Sequence, residues 1–154
     1  EAPSATEGPA QKVMKYDGNS ISAEKNGRTI WKLSAESMEM DTDTQDASFT
    51  NAQVIFYAED GRTVEMTAPH GTYEAKSRNM KIDGGVKIET SDGASLSSQE
   101  LDWSDAESLL AAVGDAKVQK DDMQGTGDRI ESTDGFSKIK IKGKAHIVKG
   151  SAQE

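Results

Sequence analysis

Few residues of this chain have the type and spacing that chemistry requires. Residues 41–46 resemble the start of a calcium loop, but Asp46 stands where glycine is needed and Ala52 where glutamate is needed. His70 and His146 lack the short spacing of a zinc pair. We therefore predict a solvated hairpin tip at residues 41–46, histidines at the surface or at strand ends, and neither a metal site nor a cofactor.

The motifs of nucleophilic and phosphate chemistry are also missing. The chain has no cysteine, which excludes disulfides, thiol catalysis and cysteine-based zinc sites. It contains no Gly-x-Ser-x-Gly elbow, no phosphate-binding loop and no dinucleotide fingerprint. Carboxylates are numerous, but their spacing alone identifies no glycosidase pair among them. We predict that the protein is not an enzyme.

Composition predicts one acidic domain without a nucleic-acid partner. The 154 residues carry 27 acidic and 18 basic side chains, a formal net charge of −9, whereas phosphate contacts need clustered lysine and arginine. No stretch approaches the ~20 consecutive apolar residues that span a bilayer. Residues 1–18 are predicted to be a flexible linker, residues 19–150 a single domain and residues 151–154 a disordered tail. A linker at this position suggests that an upstream signal or anchor was removed.

The elements that must position any site are β-strands. From residue 20 to residue 149, polar and apolar residues alternate in short runs, and Asn-Gly or Asp-Gly pairs typical of hairpin turns separate these runs. Only residues 106–113 have helical propensity, and their place inside the repeat described next favours a strand. The pairs that predict turns are Asn26-Gly27, Asp60-Gly61, Asp83-Gly84, Asp92-Gly93 and Asp134-Gly135.

An internal repeat of about 30 residues organises these strands. In each copy, steps of two, three and two residues separate the inward positions of one half, as in residues 66–73. In the other half, Gly84, Gly114 and Gly143 stand 30 and 29 residues apart, and Asn51 lies near the same position of a first copy. The step of three between alternating positions predicts a bulge or kink.

Stacked copies predict an all-β, elongated body in which two facing antiparallel sheets enclose an apolar groove. Each kinked strand crosses from one sheet to the other, and one residue in two lines the groove. Flexible methionines at such positions suit mobile acyl chains, although an ordinary packed core needs apolar residues at the same places. The candidate groove residues are Trp31, Leu33, Met38, Met40, Phe49, Val54, Phe56, Met66, Tyr73, Met80, Ile82, Val86, Ile88, Leu96, Leu101 and Trp103.

An open stack leaves a free strand edge at each end. Residues 138–149 hold five of the 18 basic side chains and no acid. These lysines either meet acidic groups or lipid phosphates of a partner, or they simply protect the edge from aggregation. Residues 20–31 are expected to form the opposite edge. The candidate partner edge consists of Ile139, Ile141, Gly143, Ala145 and Ile147.

Three segments, residues 28–35, 49–61 and 66–73, resemble the LptC-type periplasmic components of lipopolysaccharide export, which share a fold with LptA and the OstA-like domains. The resemblance covers about residues 21–149. It implies a twisted β-jellyroll whose interior carries the acyl chains of lipopolysaccharide from an inner-membrane ABC transporter to the next periplasmic protein. It further implies an LptA-like partner at the C-terminal edge and LptF/LptG-like transporter subunits at the N-terminal edge.

The resemblance also implies a periplasmic location and an N-terminal membrane helix, to which no segment of this chain corresponds. Association with the inner membrane is therefore expected of the full-length protein. Two alternatives stay open: an LptA-like soluble bridge protein, and a non-catalytic carbohydrate-binding or structural β-solenoid. Carbohydrate binding requires exposed aromatic platforms, whereas Trp31 and Trp103 occupy inward positions. The open edges also make edge-to-edge self-association an expectation.

Overall fold

The computed structural model describes residues 12–133 and 138–149, which form eleven β-strands. Strands β1 to β10 lie in sequence order, each antiparallel to the next, and β11 pairs with β9. Within these two ranges, no helix is long and apolar enough to cross a membrane. The strands are β1 (Val13–Asp17), β2 (Ser20–Lys25), β3 (Arg28–Met40), β4 (Ala47–Tyr57), β5 (Thr63–Glu74), β6 (Asn79–Thr90), β7 (Ser95–Ser104), β8 (Leu109–Lys120), β9 (Met123–Thr133), β10 (Lys138–Lys142) and β11 (His146–Lys149).

Short turns explain the strand order, because a tight turn brings each strand back beside the one before it. The turns predicted at residues 26–27, 60–61 and 92–93 are confirmed. The turn predicted at Asp83-Gly84 is wrong, because both residues lie inside β6, where Gly84 has a φ of 91° and bends the strand without reversing it. The turn predicted at residues 134–135 lies outside the described residues.

Pairs of left-handed residues kink β6, β8 and the segment between β10 and β11 at the glycines that recur in the repeat. They lie opposite the steps of three in β5, β7 and β9, at which the sequence predicts the bulge. In β6, residues 84–86 stand opposite residues 68–69 of β5, so the kink contains the one extra residue of a bulge. At Gly84 an added Cβ would lie 3.2 Å from the Cγ atom of Pro69. The φ angles of the three pairs range from 48° to 101° at Gly84 and Gly85, Gly114 and Asp115, and Gly143 and Lys144.

The kinks fold one continuous sheet into two facing walls. This differs in detail from the two separate sheets that the repeat predicts, because the backbone hydrogen bonding runs unbroken from β1 to β10. The rings of Trp31 and Tyr73 meet across the interior with centroids 6.0 Å apart. The first wall consists of β1, β2, residues 28–34, 53–57, 63–68, 86–90, 95–98, 116–120 and 123–127, and β11; the second consists of residues 37–40, 47–50, 70–74, 79–83, 100–104, 109–113 and 129–133, and β10.

Inward side chains form rows across the strands, because the register pairs inward positions with inward positions. Most members of these rows are buried and together they form the hydrophobic core. The first-wall row is Leu33, Val54, Met66, Ile88, Leu96, Val118, Gly125 and Ile147; the kink-side row of the second wall is Met38, Phe49, Gly71, Ile82, Leu101, Ala112, Ile130 and Ile141; its turn-side row is Met40, Ala47, Tyr73, Met80, Trp103, Leu110, Ser132 and Ile139.

Three predicted boundaries need correction. The linker predicted over residues 1–18 is too long, because residues 13–17 pair with β2 as strand β1. For the same reason the N-terminal edge is β1 and not residues 20–31, which lie between β1 and β4. The strand predicted in residues 106–113 begins at Leu109, after a turn. Residues 1–11 and 150–154, including the predicted tail, lie outside the described residues.

Candidate functional site

A groove lies between the two walls, with the kinks at its closed side and two lines of hairpin turns at its mouth. The hydrogen-bonded sheet is unbroken across the kinks. A ligand can therefore enter the groove from solvent only between the two lines of turns or at the two edges of the sheet. The first wall ends at the turns around residues 26–27, 58–62, 91–94 and 121–122; the second wall ends at the turns around residues 41–46, 75–78 and 105–108.

Aromatic side chains of the protein fill the N-terminal half of the groove. Trp31 and Phe56 project from the first wall, and Tyr73 and Trp103 from the second. The ring centroids of Phe56 and Trp103 are 4.8 Å apart in an edge-to-face arrangement. All four side chains are at most 6% exposed. We call these four residues the aromatic cluster; it holds the two walls in contact.

The C-terminal half of the groove contains an apolar cavity of about 240 Å³. The space exists because the side chains of the turn-side row become smaller along the row, from Trp103 to Leu110 and then to Ser132. Side chains from both walls line it: Val64, Ile88, Leu96, Val118 and Met123 from the first, and Leu101, Leu110, Ala112, Ile130 and Ile139 from the second.

Ile141 packs across the interior at the C-terminal end of the groove. It stands in β10 on the second wall, but its side chain rests on two glycines of β9 in the first wall. A Cβ added at Gly125 would lie 2.8 Å from Ile141 Cδ1, and one added at Gly127 would lie 2.5 Å from Ile141 Cγ2. The glycines therefore provide the space that Ile141 occupies.

The mouth of the cavity carries ionised groups on the first-wall turns. Lys120 Nζ donates a hydrogen bond to Asp92 Oδ2 at 3.2 Å, and a guanidinium nitrogen of Arg62 lies 3.8 Å from the same oxygen. The hydroxyl of Thr90 also donates to Asp92. The hydrogen bond from Thr90, followed by that from Lys120, holds the pKa of Asp92 below its usual value. The apolar cavity thus meets solvent at a rim that is charged at neutral pH.

A second polar cluster lies on the outer face of the second wall. Asp102 lies between the inward residues Leu101 and Trp103 in β7, so its carboxyl group points away from the groove. Its Oδ1 atom is buried and accepts no hydrogen bond within the described part of the chain. Burial, and next the neighbouring carboxyl group of Glu100, raise the pKa of Asp102 to about 6. This cluster affects stability and is separate from the groove.

The structure places most of the predicted groove residues at the interior. Met38 and Leu96 are half-buried, and Met40, at the end of β3, is 36% exposed. The buried ones are Trp31, Leu33, Phe49, Val54, Phe56, Met66, Tyr73, Met80, Ile82, Val86, Ile88, Leu101 and Trp103. Only Ile88, Leu96 and Leu101 among the predicted residues line the cavity.

Sequence reasoning missed several residues that line the cavity. Leu110, Val118 and Ile130 belong to the later copies of the repeat, and the inward positions of the earlier copies identify them. Ala112 gives no such signal, because a small residue matters here only through the side chains that the register places around it. The cavity residues outside the predicted set are Val64, Leu110, Ala112, Val118, Met123, Ile130 and Ile139.

The remaining predicted residues lie outside the groove. The hairpin tip at residues 41–46 is confirmed, and Asp41 caps it by accepting hydrogen bonds from the backbone N–H groups of Asp43 at 2.8 Å and Thr44 at 3.1 Å. These hydrogen bonds lower the pKa of Asp41. Both histidines are exposed. In the predicted partner edge, Ile139, Gly143, Ala145 and Ile147 are exposed, whereas Ile141 is half-buried and points inward.

Comparison with solved structures supports the architecture. LptH from Pseudomonas aeruginosa, described as the LptA homologous periplasmic component of the conserved lipopolysaccharide transport device, aligns with a TM-score of 0.62 over 79% of this chain and 95% of its own, at 11% identity. At that identity the likeness shows the fold alone, and it confirms the predicted all-β, LptA-like architecture. No curated protein matches the chain.

Comparison with protein families identifies the chain. The model of the family described as lipopolysaccharide-assembly, LptC-related matches residues 12–148. This range runs from the first described residue into β11, so it includes both walls and the groove. The resemblance found in the sequence is confirmed. The chain therefore belongs to the LptC-related family, whose members are periplasmic, non-catalytic components of lipopolysaccharide assembly.

Proposed function

We propose that this protein binds acyl chains of lipopolysaccharide in its groove and passes the lipid from an inner-membrane transporter to an LptA-like partner. The observation that carries the proposal is the apolar cavity of about 240 Å³ between the walls. Burying one methylene group contributes ~0.8 kcal/mol, so even a short length of acyl chain binds without polar recognition. Binding and transfer need no chemical step from this protein.

The charged rim fits an amphiphile better than a wholly apolar ligand. Arg62, Asp92 and Lys120 lie at the mouth of the cavity, where Arg62 and Lys120 each form an ion pair with Asp92. Moving such groups into an apolar interior is costly, so the rim remains in water. A lipid whose chain enters the cavity thus leaves its polar part at the mouth, beside these charges.

The C-terminal edge supports the proposed transfer to a partner. At each kink, two successive paired positions are three residues apart in one strand and four residues apart in the strand beside it. This holds for β5 beside β6, for β7 beside β8, and for β9 beside β10 and β11. The outer edge of β10 and β11 therefore repeats the geometry with which β6 and β8 accept their next strands. A kinked strand from an LptA-like protein suits this edge.

The N-terminal edge is the proposed side for LptF/LptG-like transporter subunits. Strand β1 has only β2 as a neighbour, and its Val13 side chain is 55% exposed. An unpaired strand edge with an exposed apolar residue is a surface on which another chain can add a strand. Association of the full-length protein with the inner membrane belongs to the same proposal.

One observation favours a second candidate, a structural element without a lipid ligand. The aromatic cluster fills half of the groove with the protein's own side chains, as in an ordinary core. Carbohydrate binding has no such support, because Trp31 and Trp103 are buried and offer no aromatic platform.

Photo-crosslinking distinguishes lipid binding from a purely structural role. A benzophenone amino acid at Leu96 or Met123, which line the cavity, is expected to form an adduct with lipopolysaccharide. Lys117 is the matched control, because it adjoins Val118 in β8 but is exposed on the opposite face. Absence of an adduct at both cavity positions, in variants that keep their native circular dichroism spectrum, contradicts lipid binding and favours the structural role.

A further inference from the structure

The N-terminal hairpin extends beyond the second wall. The first wall contains β1 and β2, whereas the second wall begins only with residues 37–40 of β3. We call residues 12–25 the flap. They extend along the N-terminal end of the groove from Lys12, at the mouth, to Asn19, which accepts a hydrogen bond from the N–H group of Ala35 beside the kink. They contact the second wall at Tyr73, Trp103 and Asp105.

One ion pair joins the flap to the opposite side of the mouth. Lys12 Nζ lies 2.5 Å from Asp105 Oδ1, in the turn between β7 and β8, across 93 residues of sequence. The same Nζ atom lies 5.6 Å from the ring centroid of Trp103, over its face. The two charged side chains are only 17% and 10% exposed. Because both side chains are mostly buried, solvent screens the pair less than a surface ion pair, and removing one partner leaves the other charge without compensation.

Two further side chains of the flap rest on the groove. Met14 packs against the hydrophobic core. A hydrogen bond with Tyr16 contributes to the raised pKa of Tyr73, for which burial is the largest cause. The flap therefore covers two members of the aromatic cluster, Tyr73 and Trp103, at the place where the walls meet.

Only the β1 part of the flap is held weakly elsewhere, because Ile21 and Ala23 of β2 are buried in the hydrophobic core. Strand β1 has five residues and one neighbouring strand, and four of the five are exposed. Segments with few buried apolar contacts and one hydrogen-bonded neighbour open at low free energy, whereas the central strands open only with the whole domain. Release of the contacts at Lys12, Met14 and Tyr16 is therefore the local opening that leaves the sheet intact.

Solvent already reaches one side of this contact. A depression of about 860 Å³ between the two lines of turns is lined by Lys12, Lys25 and Arg28 of the first wall and has Phe56 and Trp103 among its lining residues. Glu59 and Asp60 lie on the same rim. Phe56 and Trp103 thus already border the depression, and displacing Lys12, which lies over the ring of Trp103, exposes more of the aromatic cluster to it.

We propose that the flap is a gate on the groove: the contact of Lys12 with Asp105 and Trp103 holds the aromatic half closed, and its release admits an acyl chain longer than the cavity accommodates. The gate regulates the site of the proposed function and rests on that function only for the identity of its ligand. The occupant is an acyl chain, because the surface uncovered consists of the rings of the aromatic cluster. The opening itself is a property of the protein alone.

The two tryptophans of the chain, Trp31 and Trp103, report on the gate directly because both belong to the aromatic cluster. Acrylamide quenching of their fluorescence measures the open population without any lipid. Lys12→Ala and Asp105→Asn are each expected to raise the quenching rate constant about fivefold, the factor that corresponds to ~1 kcal/mol. The double variant is expected to quench less than the two single effects combined predict, because both changes remove the ion pair between Lys12 and Asp105.

Lys15→Ala is the matched control. Lys15 lies in the same strand and forms an ion pair with Glu24 at 3.1 Å, but this pair stays within the hairpin and does not bridge the walls. The control variant is expected to quench like the unchanged protein. Equal quenching in Lys12→Ala, Lys15→Ala and the unchanged protein overturns the gate, and so does additive quenching in the double variant.

A brominated fatty acid, dibromostearate, separates the gate from the proposed function. It quenches tryptophan on contact, and its association rate is expected to rise about fivefold in Lys12→Ala, in step with acrylamide. If dibromostearate binds all variants at the same rate, the gate is overturned and lipid binding stands. If it binds none of them while acrylamide still distinguishes Lys12→Ala from Lys15→Ala, the gate stands and lipid binding fails.

Discussion

Filling the cavity with a larger side chain is expected to separate lipid binding from stability. Ala112 is 2% exposed and its side chain lines the cavity. Ala112→Leu adds three carbon atoms, each needing on the order of 30 Å³, the share of one water molecule. Together they occupy less than half of the cavity's approximately 240 Å³. The substitution is therefore expected to leave the free energy of unfolding unchanged or to raise it, by up to ~2 kcal/mol from apolar burial.

The same substitution is expected to weaken lipid binding strongly. Three methylene groups of an acyl chain lose their place, at ~0.8 kcal/mol each, and the total of ~2.4 kcal/mol corresponds to an affinity about 50-fold lower. Ala116→Leu is the matched control, because Ala116 is an inward alanine of the same strand but is fully buried and does not line the cavity. Overpacking there is expected to cost about 1–3 kcal/mol of stability.

Urea unfolding followed by circular dichroism gives the free energies of unfolding, and tryptophan quenching by dibromostearate gives the affinities. If Ala112→Leu destabilises the protein as much as Ala116→Leu, the walls leave no free space and the reasoning about the cavity is refuted. If Ala112→Leu is stable and binds the lipid as tightly as the unchanged protein, the acyl chain lies elsewhere.

Two further predictions concern the C-terminal edge and the carboxyl group of Asp102. Neighbouring residues of a strand direct their N–H groups to opposite sides, so one of the two variants Ile147→Pro and Val148→Pro in β11 removes a hydrogen-bond donor from the outer edge. That variant is expected to lose capture of an LptA-like partner in a pull-down experiment while it keeps dibromostearate binding. Capture of the partner by both variants contradicts edge pairing. Burial and Glu100 raise the pKa of Asp102 from 3.8 to about 6, so the folded state binds the proton of this carboxyl group more tightly than the unfolded state does. The resulting stabilisation of the folded state is complete below pH 3.8 and is lost as the pH rises through 6. In Asp102→Asn, urea unfolding is expected to give a free energy that falls less between pH 4 and pH 7.5, and an unchanged pH dependence contradicts this role of Asp102.

The sequence predicts the strands and kinks well because both depend on local patterns. Alternation with period two identifies the inward face of each strand, and the step of three marks the kink. Asp83-Gly84 shows the limit of this approach, because an Asp-Gly pair favours a left-handed backbone equally in a turn and in a bulge. Only the pairing of β6 with both neighbours distinguishes the two.

Strand β1 and the cavity are harder to predict for other reasons. Most of β1 is exposed, so its sequence lacks the clear alternation of a half-buried strand. The cavity arises from differences in side-chain size between residues that are distant in sequence, such as Trp103 and Ser132 in one row. These residues become neighbours only through the register, which each bulge shifts by one residue. The link from Lys12 to Asp105, across 93 residues, likewise has no local signal.

Because the two walls are halves of the same strands, the line of kinks is a hinge between them. Small backbone rotations at the three left-handed pairs would change the angle between the two walls while the interstrand hydrogen bonds on either side remain in place. These pairs are Gly84 and Gly85, Gly114 and Asp115, and Gly143 and Lys144. Because the hinges lie in separate copies of the repeat, the proposed transfer of an acyl chain requires only the parts of the walls beside the chain to separate.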